Sequence, residues 1–212
     1  MSGNGRRRRS DGERSRAAIL EAATKLATTE GLEGLSIGRL ADEIGMSKSG
    51  LYAHFGSKEE LQLATVETAG RVFAQEVIVP AREQSREGLA RIEALCERFL
   101  SYLERQVFPG GCFFDAAAAE FDTHPGPVKE RVAEFLRGWN EAFRKHLAIA
   151  QAAGEISPDE DAAQLAFELH ALLQAGNSGL LLTGEQLALE RARRGIEARL
   201  RVAAAQPAAA TR

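Results

Sequence analysis

Long apolar runs are missing from this sequence: none of its 212 residues begins a stretch of eighteen uninterrupted apolar positions, so no membrane span is expected. The basic start runs into Ser10-Asp11-Gly12-Glu13 instead of an apolar core, so no secretory leader is expected either, and a cytoplasmic location follows. Cysteine is scarce. Cys96 and Cys112 are too few for a disulfide scaffold and lack the C-x-x-C spacing of a zinc or thioredoxin-like site, so reduced, buried thiols are the default. The four histidines, His54, His124, His146 and His170, have no ligand spacing to one another or to a cysteine; neither a metal nor a cofactor is expected. A Gly-rich phosphate loop, a G-x-S-x-G elbow and an H-E-x-x-H helix are all wanting, which argues against an enzyme. No run alternates with period two for long enough to make a strand, and proline sits only at boundary-like places. Ala, Leu, Glu and Arg dominate, and the expected class is all-α.

Charge is modest overall and uneven locally. The formal net charge is -3, yet residues 1–16 hold six arginines against two acids, leaving 21 bases against 28 acids in the rest. The organisation expected from these patterns is a flexible basic arm over 1–12, a first domain over 13–60, a larger helical domain over 61–205 and a frayed tail over 206–212. About nine helices are expected in total. After a first helix over 13–30, two short ones and a fourth closed by Pro80, they span 87–105, 113–122, 127–153, 158–182 and 185–204.

The densest signal lies in 36–61. Ile37, Leu40, Ala41 and Ile44 recur at i, i+3, i+4 and i+7 and put one apolar stripe on a short helix, which Gly45 ends. Ser47 is a good N-cap for the next helix, where Leu51 and Phe55, four apart, anchor one face to a core. Lys48, Ser49 and Tyr52 project from the other face, and Gly50 has no side chain to hold DNA away. Gly56 is expected to stop this helix, and Ser57 to Glu60 form an S-x-x-E capping box for the fourth. Helix, turn, helix is the reading, with an N-terminal DNA-binding domain of three helices.

In that setting the chain resembles the tetracycline-repressor (TetR) family of transcriptional regulators. The residues that carry the likeness are Arg16 to Ala23 (RAAILEAA), Gly31-Leu32, Ser36-Ile37, Ile44-Gly45-Met46-Ser47 and Leu51 to Leu61 (LYAHFGSKEEL). Beyond residue 61 the likeness rests on helix count and on Gly111 to Phe114 and Phe121 to Pro127. The resemblance implies a homodimeric repressor whose C-terminal domain binds a small molecule and thereby moves two DNA-reading heads.

A helix entering the major groove by its N-terminal end presents short side chains and free amides to bases and phosphates. Lys48, Ser49 and Gly50 take that position, with Lys48 a donor to guanine; Tyr52 and His54 suit backbone phosphates. Lys58 opposes the dipole of the fourth helix, so a nearby phosphate explains it better than local folding does. Ser36, the amide of Ile37 and Arg39 are further phosphate candidates, and Arg6, Arg7, Arg8 and Arg9 suit a minor groove. Each has a plainer competitor. Ser36 and Ser47 serve as N-caps in any case, Tyr52 and His54 fit ordinary structural or surface roles, and the arginine arm fits a solubilising tail.

One helix-turn-helix reads a half-site, so a palindromic operator in double-stranded DNA needs two heads about 34 to 36 Å apart and hence a homodimer, nucleoid-associated when bound. Leu165, Leu169, Leu172, Leu173, Gly176, Leu180, Ile196 and Leu200 are the dimerisation candidates, the competing role being the subunit's own core. For the small-molecule effector, Phe99, Tyr102, Leu103, Phe113, Phe114, Trp139 and Phe143, with His146, His170 and Asn177, suit a cavity for a hydrophobic or amphipathic ligand, although any single aromatic is more often core. Two other functions stay open: a redox sensor through Cys112 and Cys96, and a regulator that activates or needs a co-repressor.

Overall fold

The computed structural model describes residues 3–204, with side chains from Gly12 onward. Ten α-helices occur among the described residues: α1 Gly3–Glu30, α2 Ile37–Ile44, α3 Lys48–Tyr52, α4 Lys58–Phe73, α5 Val79–Gln84, α6 Leu89–Glu104, α7 Phe113–Phe121, α8 Pro127–Ala152, α9 Ala162–Thr183 and α10 Leu187–Ala203. A π-helical turn, Ala74–Ile78, joins α4 to α5 without a break, so the helices make nine rods and the all-α expectation stands. None among the described residues is long and apolar enough to cross a membrane.

Several boundaries moved, each for a chemical reason. The first helix reaches back to Gly3, into the segment read as an arm, and the arginines there are good helix formers. The side chains of Arg6 to Arg9 lie outside the described residues, as does the tail from 205 onward. Pro80 does not end the fourth helix. The Val79 N–H already bonds back to the Ala74 carbonyl in the wider π pattern, so the ladder has slipped before proline's missing donor is reached. The ninth helix starts at Ala162 and not near Pro158, because the Asp161 carboxylate accepts from the amides of Ala163 (2.9 Å) and Gln164 (3.1 Å).

The chain divides into two compact units. The amino-terminal unit comprises residues 1–72 and 108–134; the carboxyl-terminal unit comprises 73–107 and 135–212. This partition differs from a boundary at residue 60, because 108–134 packs with the chain's start. Ile19, Ala23, Leu40, Leu51, Phe55 and Leu61 form the core of the first unit, and Gly110 sits so near α1 that an added Cβ would fall 1.8 Å from the Thr28 carbonyl oxygen. In the second unit the edge of Phe73 meets Phe99, Tyr102, Phe135 and Trp139 at centroid distances of 5.2 to 6.0 Å.

Candidate DNA interface

Helix α2 is built to be held. Ile37, Leu40 and Ala41 are buried, Ile44 is half-buried, and the Ser36 hydroxyl accepts from the Arg39 amide at 3.1 Å. Gly45 takes the left-handed conformation (φ 66°), and the Met46 amide reaches back to the Ala41 carbonyl at 2.9 Å. That bond and the one from the Gly45 amide to Asp42 satisfy carbonyls the helix end would leave bare.

Helix α3 is built to be offered. Leu51 is its one buried residue, and Phe55 just beyond it is buried too, with the Arg16 guanidinium 4.9 Å above its ring. The Ser47 hydroxyl accepts from the Gly50 amide at 3.1 Å and lies 3.3 Å from the Ser49 hydroxyl. Lys48 and Ser49 are exposed, and Tyr52 is 56 % exposed, unusual for a tyrosine with no apolar surface to cover. The end of Lys48 lies across Gly38, where an added Cβ would come within 3.3 Å of its Cε and Nζ. His54 is half-buried with its ring tilted against Phe55. The helix gives way to a turn after Tyr52, before Gly56 is reached.

Two cations assigned to phosphate have partners within the chain. The Arg39 guanidinium donates to Glu30 (2.8 and 3.1 Å) and to Glu43 (2.8 Å), and those carboxylates raise its pKa. The Lys58 ammonium donates to Glu33 at 2.9 Å, which answers the charge that local helix polarity left unexplained. Lys58, followed by Gln62, holds the Glu33 carboxyl below the usual range through hydrogen bonds. The capping box is displaced by one residue: the Ser57 hydroxyl accepts from the Glu60 amide at 3.0 Å, but Glu60 reaches back to the amide of Gly56 (2.9 Å) and not to that of Ser57.

A clasp from α7 completes this unit. The Glu120 carboxylate accepts from the consecutive amides of Leu32 (2.7 Å) and Glu33 (2.9 Å), in the loop that leads into α2. Nearby the Gly110 amide donates to the Thr28 hydroxyl at 3.2 Å, and buried Gln62 donates to the Leu32 carbonyl at 2.9 Å. Arg16 could be suspected from the basic run ahead of α1's apolar stripe, but Glu120 is 88 residues from its partner and carries no local signal.

The remaining candidates separate. Phe113 and Phe114 belong to the amino-terminal unit, where they pack on each other (5.3 Å) and Phe113 on Phe108 (6.3 Å). Phe99, Tyr102, Leu103, Trp139 and Phe143 are buried in the carboxyl-terminal unit, ring against ring, as core. His146 lines a polar recess, His170 a cleft between α8 and α9, and Asn177 is buried. The dimerisation candidates lie mostly in the subunit's own core. Leu165, Leu169, Leu173, Gly176, Leu180, Ile196 and Leu200 are buried within the subunit and Leu172 is half-buried. Gly176 lets α10 approach α9 inside one chain, since an added Cβ would meet that of Ala192 at 3.0 Å. On α9 and α10 the large apolar side chains left exposed are Phe167, Leu181, Leu182, Leu187 and Val202. Burial raises the pKa of both thiols, Cys96 and Cys112, and disfavours thiolate in each.

Known proteins share this construction. Residues 19–65 match the family described as bacterial regulatory proteins, tetR family, and residues 88–196 match the tetracyclin repressor-like C-terminal domain. A transcriptional regulator called LmrA from Bacillus subtilis is 28 % identical over 137 residues, covering 63 % of this chain and 71 % of that protein. The crystal structure of a TetR transcriptional regulator from Chloroflexus aurantiacus superposes with a TM-score of 0.85 at 27 % identity, covering 92 % of this chain and 98 % of the other. The structure of AibR in complex with isovaleryl coenzyme A and operator DNA shares the fold, with a TM-score of 0.70 at 21 % identity over 86 % of this chain and 96 % of that one. With both its helix-turn-helix and its C-terminal half matched, the chain belongs to the TetR family of transcriptional regulators.

Proposed function

We propose that this protein represses transcription by binding a palindromic operator as a homodimer, and that a small-molecule effector releases it. The observation that carries the reading is α3: five residues long, pinned by Leu51, with Lys48, Ser49 and Tyr52 turned to solvent. Side chains spent neither on core nor on ion pairs are free for base edges and phosphates. Ser36 and Ser47 cap their helices, and Arg39 and Lys58 hold carboxylates, so the contact surface centres on Lys48, Ser49, Gly50 and Tyr52, with His54 beside them.

Dimerisation supports this use, because one head reads a half-site. The face assigned to it is the exposed one of α9 and α10, around Phe167, Leu182, Leu187 and Val202. The clasp ties α7 to the head within the amino-terminal unit. Glu120 and Gly110 grip the end of α1 and the loop ahead of α2, so a shift of α7 reaches α2 through hydrogen bonds and not through loose chain. Effector and operator then oppose each other reciprocally, by no more than the effector's difference in affinity for the two head arrangements. AibR, solved with an acyl coenzyme A and its operator, supports such a pairing of ligands on this fold. Redox sensing through the two cysteines finds little support in thiols whose thiolate form is disfavoured.

The test is selection of bound genomic fragments, followed by titration with Tyr52→Ala and Phe167→Glu variants. Tyr52→Ala should fold normally and lose roughly tenfold or more in operator affinity, about 1 to 3 kcal/mol. Phe167→Glu should sediment as a monomer and lose the palindrome. Tight operator binding by either variant would remove the corresponding part of the reading.

A further inference from the structure

One recess of the carboxyl-terminal unit gathers more positive charge than it neutralises. Arg82 of α5, Arg91 of α6, and Lys145 and His146 of α8 line it, together with a single carboxylate, Glu87, in the turn before α6. Arg91 is buried, 8 % exposed, and its role in the fold is clear. Its Nε donates to the Ser85 hydroxyl (2.8 Å), and Nη2 donates to the carbonyls of Ser85 (2.5 Å) and Arg82 (3.1 Å), closing the C-terminal end of α5. Those partners are neutral, they leave Nη1 unused, and no carboxylate stands within ion-pair distance of Arg91 among the described residues. Glu87 lies 3.8 Å from Lys145, where both are exposed.

His146 is the second observation. It is 8 % exposed, and its Nδ1, fully buried, has no hydrogen-bond partner among the described residues. A buried polar atom without a partner is a standing cost, and natural interiors rarely keep one without a use. Burial first, then the Arg91 charge, lowers the His146 pKa, with Lys145 adding to the effect and Glu87 opposing it. The imidazole is therefore held neutral beside a buried guanidinium. An anion in the recess pairs with the Arg91 guanidinium and favours a protonated His146, which then donates to it. Ile78, Leu95 and Ala142 supply the apolar part of the wall, and the volume of about 340 Å³ suits a small molecule.

We propose that this recess binds a small organic carboxylate, its oxygens held by Arg91 and His146 and its short alkyl chain lying on Ile78, Leu95 and Ala142. The proposal rests on the effector reading above and names the chemical class of that effector. A bare phosphate has the charge but nothing to place on the apolar wall.

The test titrates the full-length protein with hexanoate, hexanamide and inorganic phosphate while following the His146 ring resonances by NMR. Hexanoate should shift the ring and raise its pKa, and should bind more tightly as pH falls through that pKa, the charged groups facing the ring being Arg82, Arg91, Lys145 and Glu87. Because Arg91 also holds α5, the informative variants are His146→Asn and Lys145→Ala, with His146→Asn expected to weaken hexanoate about tenfold. Hexanamide binding as well as hexanoate, phosphate binding better than hexanoate, or unchanged hexanoate binding by His146→Asn would overturn the proposal. Operator release in the same titration keeps the two readings apart. Hexanoate that binds at His146 without releasing DNA upholds the recess and removes the effector role; release by a neutral apolar molecule with His146 undisturbed does the reverse.

Discussion

Two sites, one in each unit, treat their polar groups in opposite ways. In the amino-terminal unit nearly every charged or hydroxyl side chain around the helix-turn-helix has an intramolecular answer: Arg39 with two glutamates, Lys58 with Glu33, Ser36 and Ser47 on helix amides, Glu120 on a loop. The outer face of α3, with Lys48, Ser49 and Tyr52, is turned to solvent. In the carboxyl-terminal unit a buried arginine is answered only by neutral oxygens, and a buried histidine nitrogen by nothing among the described residues. The first arrangement fixes a short helix too small to hold itself; the second keeps a polar recess that a ligand can complete. Rigidity on one side and incompleteness on the other is what a ligand-controlled reader needs.

The largest blow to the amino-terminal side of this contrast falls at Phe55, 1 % exposed and capped by Arg16. Phe55→Ala should cost about 3 to 5 kcal/mol, a large part of the whole stability of a domain, and should abolish DNA binding through loss of α3's footing. Denaturant midpoints from far-ultraviolet circular dichroism measure it, while the fluorescence of Trp139, the chain's single tryptophan, reports on the carboxyl-terminal unit. A helical signal that melts at the wild-type midpoint would show that Phe55 anchors nothing.

A middle-sized effect is expected at the clasp. Glu120→Gln keeps the shape but loses the charge and one of two acceptor oxygens, leaving either the Leu32 or the Glu33 amide short of a partner at a cost of about 1 to 2 kcal/mol. Hydrogen exchange at those two amides should quicken while the amides of α6 keep their rates. Equal protection at residues 32 and 33 in both proteins would mean that water serves the loop as well as Glu120 does.

Much of the amino-terminal unit was legible in the sequence because its signals are local. Ser36, Gly45 and Ser47 punctuate two helices within a dozen residues, and each does in the structure what its side chain or its freedom at positive φ suggests. The Arg39–Glu43 pair, four apart on α2, follows helical spacing, whereas Glu30, nine residues before Arg39, and Glu33, 25 before Lys58, lie where that spacing gives no warning. The apolar surface of α9 is ambiguous in the sequence for another reason. Leucines on several sides of a helix announce burial without saying whether the cover comes from the same chain or a second one, and here α10 packs on α9, Gly195 against Leu172 and Ala192 against Gly176. Ring spacing along helices likewise does not distinguish rings that enclose a space from rings that fill it, and here Phe73, Trp139 and Phe143 pack ring on ring. The Arg91 and His146 recess joins residues from the π-helical turn, α5, α6 and α8, so His146 stands out in the sequence as a candidate but its partnership with Arg91 does not.

The smallest expected effect sharpens the contrast at Lys58. Lys58 and Glu33 are both nearly half exposed, 46 % and 48 %, so solvent screens the pair and Lys58→Ala should cost less than about 1 kcal/mol at neutral pH. Its sign with pH is fixed by Glu33, whose carboxyl is held below its ordinary 4.5, chiefly by the hydrogen bond from Lys58. A depressed folded pKa contributes stability that is complete above the unfolded value and disappears as pH falls through the folded one. Wild type and Lys58→Ala should therefore differ slightly at pH 7 and converge in acid below the folded Glu33 pKa, as followed by denaturant midpoints across that range. On DNA the same variant should lower the salt slope by less than the one unit of a dedicated phosphate contact, because the ammonium must leave Glu33 to reach a phosphate. A full unit would return Lys58 to the backbone-contact role, and a stability gap that persists in acid would show that the pair with Glu33 is not what the lysine is for.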